Sequence, residues 1–354
     1  TLFPEASVNN PVDVLATGPA PHYRACLDAM MADENFDCVF VNFVTPFFVD
    51  NESTAKEIVA VSKQQKKPIV CNLMTDRRQW TEVVKILQDG GVPCFALPGE
   101  AARAMTALVD YHNIRARHIG EVRSFSDTEA EGARQVIAAA KEAGKSSLSA
   151  AEVYSILAAY KIPTTGWRMA ANADEAVKAA AEIDYPVVVK ADAPSILHKS
   201  DMGGVAVDLK DADAVRTAVE KMQQRFSADD PRFFVQKYLP GGLELIMGAK
   251  AEEGLGHAVM FGLGGIFVEI MKDVVFNLTP VSAGEAGQML AAIKGASMLE
   301  GVRGQKGVNQ NLLIEIIQRL SQLLTDLPEI QEMDLNPLIA FEDQVVVVDA
   351  RIAI

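Results

Sequence analysis

Pro186-Val-Val-Val-Lys190-Ala-Asp-Ala-Pro-Ser-Ile-Leu-His198-Lys-Ser-Asp201-Met-Gly203-Gly204-Val205 joins two unlike pieces of chain. Its first five residues are a proline, a β-branched run and a lysine, which predicts a buried strand with Lys190 at its end. The remainder is polar, carries one histidine and closes on two glycines, the composition of an irregular loop. A fixed strand delivers the lysine, and a loop presents His198.

Upstream of this strand, Leu148-Ser149-Ala-Ala-Glu152 has serine and glutamate at capping-box spacing and predicts a helix that runs to Tyr160-Lys-Ile-Pro163. A strand (Thr165 to Met169) and a helix (Ala173 to Ile183) follow, so an α-β-α-β unit ends on Lys190. Downstream, strand patterns at 204–209, 233–239, 243–249 and 257–261 surround an amphipathic helix at 212–226. Helices at 285–294 and 311–324 lead to a closing hairpin from Leu335 to Ala350. Residues 1–117 alternate apolar strand runs and helical patterns with short Gly/Pro connections, which implies a parallel sheet covered by helices whose first βα unit has no counterpart. Asp13, Thr45 and Pro46 stand at its strand ends, as ligand contacts or as loop caps. Residues 118–135, charged and without period, read as a linker.

At 354 residues the chain exceeds one ordinary core, and 49% hydrophobic with 23% charged residues is sufficient for sizeable ones. The formal charge of -14 argues against nucleic acid and anionic membrane as partners. Cys26, Cys38, Cys71 and Cys94 sit in or beside apolar runs with no C-x-x-C spacing, as reduced core cysteines of a cytoplasmic protein do. No apolar run reaches the ~18 residues of a membrane helix. The chain starts at Thr1, so a fragment, a subunit or a processed product are all open.

Lys190 either snorkels to the surface or meets an anion. Gly203 and Gly204, and again Gly262, Gly264 and Gly265, let backbone approach a phosphate closely; a turn facing a helix explains them equally well. Glu244, after Pro240-Gly-Gly, is placed to bond a ribose hydroxyl or is an edge-strand charge. His257, among apolar residues, reads as a core histidine. Asn336 and Asp349 flank the closing hairpin. A two- or four-residue turn puts both on one face, where an amide oxygen and a carboxylate suit Mg²⁺; the alternative is an Asn-Pro turn beside a paired aspartate. His198 has no metal partner in its loop and is an acid/base, a phosphoryl acceptor or inert.

In this order, Tyr-Lys-Ile-Pro163, Val-Val-Val-Lys190, Ile-Leu-His198-Lys-Ser-Asp-Met-Gly-Gly-Val205, Gln236-Lys-Tyr, Gly-Gly-Leu-Glu244, Phe-Gly-Leu-Gly-Gly-Ile-Phe-Val-Glu269, Lys272-Asp273 and Asp334-Leu-Asn336-Pro-Leu to Asp349-Ala-Arg351 resemble one family. They are similar to the ATP-grasp half of the ADP-forming acyl-CoA synthetases, the acetate-CoA ligases related to succinyl-CoA synthetase. The resemblance implies an α/β chain: a partial flavodoxin-like, succinyl-CoA-ligase-like domain over 1–117, then the linker, then a two-lobed ATP-grasp domain over 136–354.

By position, Lys190 would contact ATP phosphates, the backbone around Gln236, Lys237 and Tyr238 the adenine, and Glu244 the ribose. Asn336 and Asp349 would hold Mg²⁺, and His198 would carry phosphoryl groups from the nucleotide to a distant acyl-phosphate/CoA site. CoA would bind mainly to domains outside this chain, on another chain or an upstream segment, within an oligomer. Asn277 replaces an arginine usual in the family and removes a phosphate-charge partner. Two readings therefore stand: part of a ligase, or a non-catalytic nucleotide-binding regulatory module of the kind found in related protein acetyltransferases.

Overall fold

The computed structural model describes residues 2–64, 66–76, 78–117, 119–192, 203–228, 231–265, 272–301 and 306–354. The chain divides into two units, Thr1–Arg117 and His118–Ile354.

In the first unit the alternation read from sequence appears as α1 (Ala20–Ala32), β1 (Val39–Val44), α2 (Asn51–Ser62), β2 (Ile69–Met74), α3 (Thr81–Asp89), β3 (Cys94–Phe95) and α4 (Pro98–Ala116). The strands pair parallel in the order β1-β2-β3. Central β2 is buried over Ile69 to Leu73, which explains its unbroken apolar run, whereas edge strand β1 alternates. The three strand-end residues cap loops. Asp13 Oδ1 accepts from the Leu15 amide (2.8 Å), the Pro46 carbonyl accepts from Asn51 Nδ2 (2.8 Å), and Thr45 bonds the hydroxyl of Thr75. All four cysteines are free thiols. Cys71 faces Cys94 across β2 and β3, and a bond with that thiol, together with burial, pushes its pKa up, which leaves it unreactive.

The second unit begins with α5 (Ala130–Glu142), α6 (Ala150–Ala159), β4 (Trp167–Ala170), α7 (Ala173–Ile183) and β5 (Val187–Asp192). The predicted capping box is present: Glu152 accepts from the Ser149 backbone while the Ser149 hydroxyl faces the Glu152 amide. Then come β6 (Val205–Leu209), α8 (Ala212–Arg225), β7 (Arg232–Lys237), β8 (Leu243–Glu252), β9 (Gly256–Leu263), β10 (Val274–Leu278), α9 (Ala283–Ala292), α10 (Ala296–Glu300) and α11 (Gln310–Asp326). The chain closes with β11 (Glu332–Ala340), β12 (Val345–Val347) and β13 (Ala350–Ala353).

Two antiparallel sheets result. One has the order β4-β7-β5-β6; alanines of α7 and Val215, Val219 and Met222 of α8 pack on it. The other has the order β10-β9-β8-β11-β12, with β13 also on β11, and packs against α6, α9 and α11. His257 is buried with Nε2 2.7 Å from the Ile330 carbonyl, so it is the core histidine that its apolar neighbours suggested.

The segment read as a linker over 118–135 is different in character. His118 lies outside the described residues, but Phe125 is buried, with the Arg319 guanidinium 4.1 Å above its ring. The same guanidinium forms a fork with Asp127, both bonds at 3.0 Å, and α5 begins at Ala130. Charged composition suggested a solvated linker, yet here the charges are the anchor. Among the described residues, no helix is long and apolar enough to cross a membrane.

Candidate nucleotide site

The connection Tyr238 to Gly242 carries the chain from the smaller sheet to the larger one, and beside it the two sheets enclose a cavity of about 1060 Å³. Its lining includes Lys190, Gln236, Lys237, Tyr238, Glu244 and Asp349. Six residues chosen from four stretches of sequence therefore share one cavity.

The floor is a single polar node. Lys190, 12% exposed, reaches from β5 to bond Asp349 Oδ1 at 2.7 Å and the Val348 carbonyl at 3.1 Å. The Val348 carbonyl also accepts from Gln236 Nε2 (3.0 Å) and from the Tyr154 hydroxyl (2.8 Å). Burial and the nearby Asp349 charge push the Tyr154 phenol pKa up, so its hydroxyl keeps its proton and remains a donor. Neither Tyr154 nor the Val348 carbonyl was singled out in the sequence. A buried tyrosine looks like core, and a backbone carbonyl has no sequence signal.

The closing hairpin takes the four-residue form, with Ala340 opposite Val345. The Asn336 amide donates to the Asp349 carbonyl at 3.1 Å, which sets the two residues opposite one another. Asp349 lines the cavity, and Pro337 rather than Asn336 continues the lining. Among the described residues no group of three or more His, Cys, Asp and Glu could hold a metal by protein atoms alone. Of the predicted metal pair, the Asp349 carboxylate is the donor on the cavity wall. A carboxylate oxygen fits Mg²⁺, which completes its shell with water and phosphate oxygens, and this one already attracts a cation in the form of the Lys190 ammonium.

At the connection, backbone donors are already in use through Tyr238. The Lys237 amide bonds the Gly166 carbonyl (2.9 Å) and the Tyr238 amide bonds Pro186 (3.1 Å). The Lys237 ammonium is tied to the carbonyls of Tyr185 and Asp184 at 2.8 and 3.1 Å. The Tyr238 carbonyl and the Leu239 amide have no backbone partner among the described residues, so the open hydrogen-bonding edge is at the end of the predicted stretch.

The glycines divide. Gly264 donates to the Glu244 carbonyl at 2.8 Å, and a Cβ on it would lie 2.9 Å from the Glu244 carbonyl carbon. Gly264 and Gly265 thus let β9 approach exposed Glu244. Gly204 accepts from Ala191 (2.8 Å), and Gly203 has a φ of +69° beside Arg225. None of the four lines the cavity. Asn277 sits on edge strand β10, bonded to the following amide (2.9 Å), away from the cavity. His198 and the loop around it lie outside the described residues.

Known proteins resemble this chain over much of its length. Residues 139–354 match the family model of an ATP-grasp domain. The chain is 37% identical to the 4-hydroxybutyrate–CoA ligase [ADP-forming] of Nitrosopumilus maritimus over 96% of this chain and 49% of that one. It is 42% identical to the beta subunit of acetate–CoA ligase [ADP-forming] I of Pyrococcus furiosus, over 62% of this chain and 96% of the subunit. A solved structure of the dinucleotide forming acetyl-coenzyme A synthetase 1 of Ca. Korarchaeum cryptofilum superposes with a TM-score of 0.57 at 38% identity, covering 63% of this chain and 99% of that one. It is in complex with coenzyme A and Mg-AMPPCP, its phosphohistidine segment pointing towards the nucleotide binding site. The chain thus spans about half the length of relatives such as the Nitrosopumilus ligase.

Proposed function

Because the chain belongs to the ATP-grasp family of the ADP-forming acyl-CoA ligases, we propose that it is the nucleotide-handling part of an acid-thiol ligase. The reaction is acid + ATP + CoA = acyl-CoA + ADP + phosphate. CoA and the acid bind mainly to domains outside this chain, on another chain or another segment, in a cytoplasmic oligomer. The observation that carries this reading is the Lys190–Asp349 pair on the floor of a cavity beside the connection between two sheets.

The adenine lies against the connection, its amino group donating to the Tyr238 carbonyl and its ring nitrogen accepting from the Leu239 amide. Glu244, exposed at the cavity, accepts a ribose hydroxyl. Lys190 offsets phosphate charge, and Gly203 and Gly204 turn the chain at the foot of the His198 loop. Asp349 and Asn336 hold Mg²⁺, which when bound supplies charge neutralisation and orients phosphate oxygens. His198 accepts the γ-phosphoryl group: a bond forms from an imidazole nitrogen to phosphorus, and the bond to the ADP oxygen breaks. The phosphoryl group then passes to the carboxylate, and CoA thiol displaces phosphate from the acyl phosphate. This division replaces one difficult condensation with three displacements. The phosphohistidine segment of the Korarchaeum enzyme supports the assignment of the carrier.

The test is phosphoryl transfer from γ-labelled ATP to the protein supplied with CoA-binding partner domains. The expected result is an acid-labile, base-stable label that is lost in His198→Ala. A wild-type protein that never acquires such a label sinks the carrier role.

A further inference from the structure

We propose that Lys190 occupies the cation position on Asp349 until nucleotide arrives, so that metal binding is contingent on nucleotide binding. This rests on the assignment of Asp349 as a metal carboxylate. Three observations carry it. The Lys190 ammonium is 2.7 Å from Asp349 Oδ1, the distance of a direct charge-assisted hydrogen bond, and the lysine side chain is 12% exposed. A divalent ion at that oxygen and the ammonium repel one another, so the two cations compete for one acceptor.

The backbone that carries the carboxylate is pinned. The Val348 carbonyl is held by Lys190, Gln236 and Tyr154, the Val348 amide by the Pro337 carbonyl at 3.0 Å, and the Asp349 carbonyl by the Asn336 amide. The lysine makes the exchange, because its four-carbon stem swings without moving backbone. A phosphate entering the cavity offers the ammonium a doubly useful alternative: it takes the lysine and brings oxygens that complete the metal shell. Lysine and metal then change partners in one event. The order of binding follows, with metal alone disfavoured and metal with nucleotide favoured.

The experiment measures Mn²⁺ alone, by loss of its free-ion electron paramagnetic resonance signal, on the whole chain without nucleotide. Lys190→Met should tighten Mn²⁺ binding about three- to fivefold, the upper end of what one ion pair with a partly exposed carboxylate is worth. Arg351→Met removes another cation lining the same cavity and should change binding less than about twofold. If both variants tighten binding equally, net charge explains the effect and the exchange is refuted. Unchanged or weaker binding in Lys190→Met refutes it as well. Should Lys190→Met fail to fold, Lys190→Gln, whose amide can still donate to the Val348 carbonyl, carries the same expectation. If wild-type protein takes up no Mn²⁺ even with AMPPCP present, the metal assignment of Asp349 fails instead.

Discussion

Replacing Arg319 with methionine keeps the apolar stem and removes the guanidinium that ties residues 123–129 to α11. The arginine side chain is 8% exposed, lies over the Phe125 ring, and donates to the Tyr160 carbonyl at 3.3 Å as well as to Asp127 and Glu315. Asp127 is half exposed and rehydrates on release, so its pair contributes little to the cost. The Tyr160 carbonyl belongs to a fully buried residue and loses a donor, at about 1–2 kcal/mol. Loss of the stacked cation adds about 1 kcal/mol. Arg319→Met should therefore lower unfolding free energy by about 2–3 kcal/mol, read from urea titration. Hydrogen exchange should rise at the Phe125 amide, which donates to Gln322 Oε1 at 2.7 Å. Phe125→Ala should act on the same anchor, so the double variant should cost less than the two singles combined. A change below about 0.5 kcal/mol, with an unprotected Phe125 amide in the wild type, would return the segment to the flexible linker its composition suggested.

Two further outcomes follow from the site. Burial pushes the Asp334 pKa up, with Arg351 opposite it working the other way. A carboxyl whose folded pKa is raised costs stability when ionised, so stability falls as pH rises from the unfolded value of about 3.9 through the folded value. Asp334→Asn should thus stabilise the protein at pH 7 and lose that advantage near pH 4, as followed by Tm; a constant advantage across this range would contradict the buried-charge explanation. Gly264→Ala places a Cβ 2.9 Å from the Glu244 carbonyl carbon and 3.0 Å from the Leu245 nitrogen, both backbone atoms that cannot yield. The expected cost is about 1–3 kcal/mol, with weaker AMPPCP binding by calorimetry because Glu244 is displaced; unaltered affinity would separate Glu244 from the nucleotide.

How much of this was legible in the sequence depends on whether a residue type or a backbone atom does the work. Strand and helix order could be read because burial imposes period, as in the apolar run of β2 on both faces, and because caps have a spacing, as at Ser149 and Glu152; the turn length that sets Asn336 opposite Asp349 stayed open in the sequence and is fixed by the register. Lys190, Glu244 and Asp349 stood out as charged groups at the ends of apolar runs, and only the family resemblance gave them roles. The segment at 123–129 was misread for the same reason in reverse. Its charges suggested solvent, but Arg319, 192 residues from Asp127, supplies the partner, and no local window contains it.

The harder omission is the Val348 carbonyl. Every residue contributes a carbonyl, so one that gathers three donors leaves no mark on composition, spacing or charge. Yet that atom binds β5, β7 and α6 to the segment carrying Asp349. Lys190 was chosen from sequence for contact with phosphates and the backbone around Gln236 for adenine, and the two side chains meet on this carbonyl. Their first task is to hold a carboxylate still, and only Lys190 has the reach to leave that task when a phosphate arrives. The lysine that ends the β-branched run therefore serves two partners in succession, and its second role depends on how firmly the others keep Val348 in place.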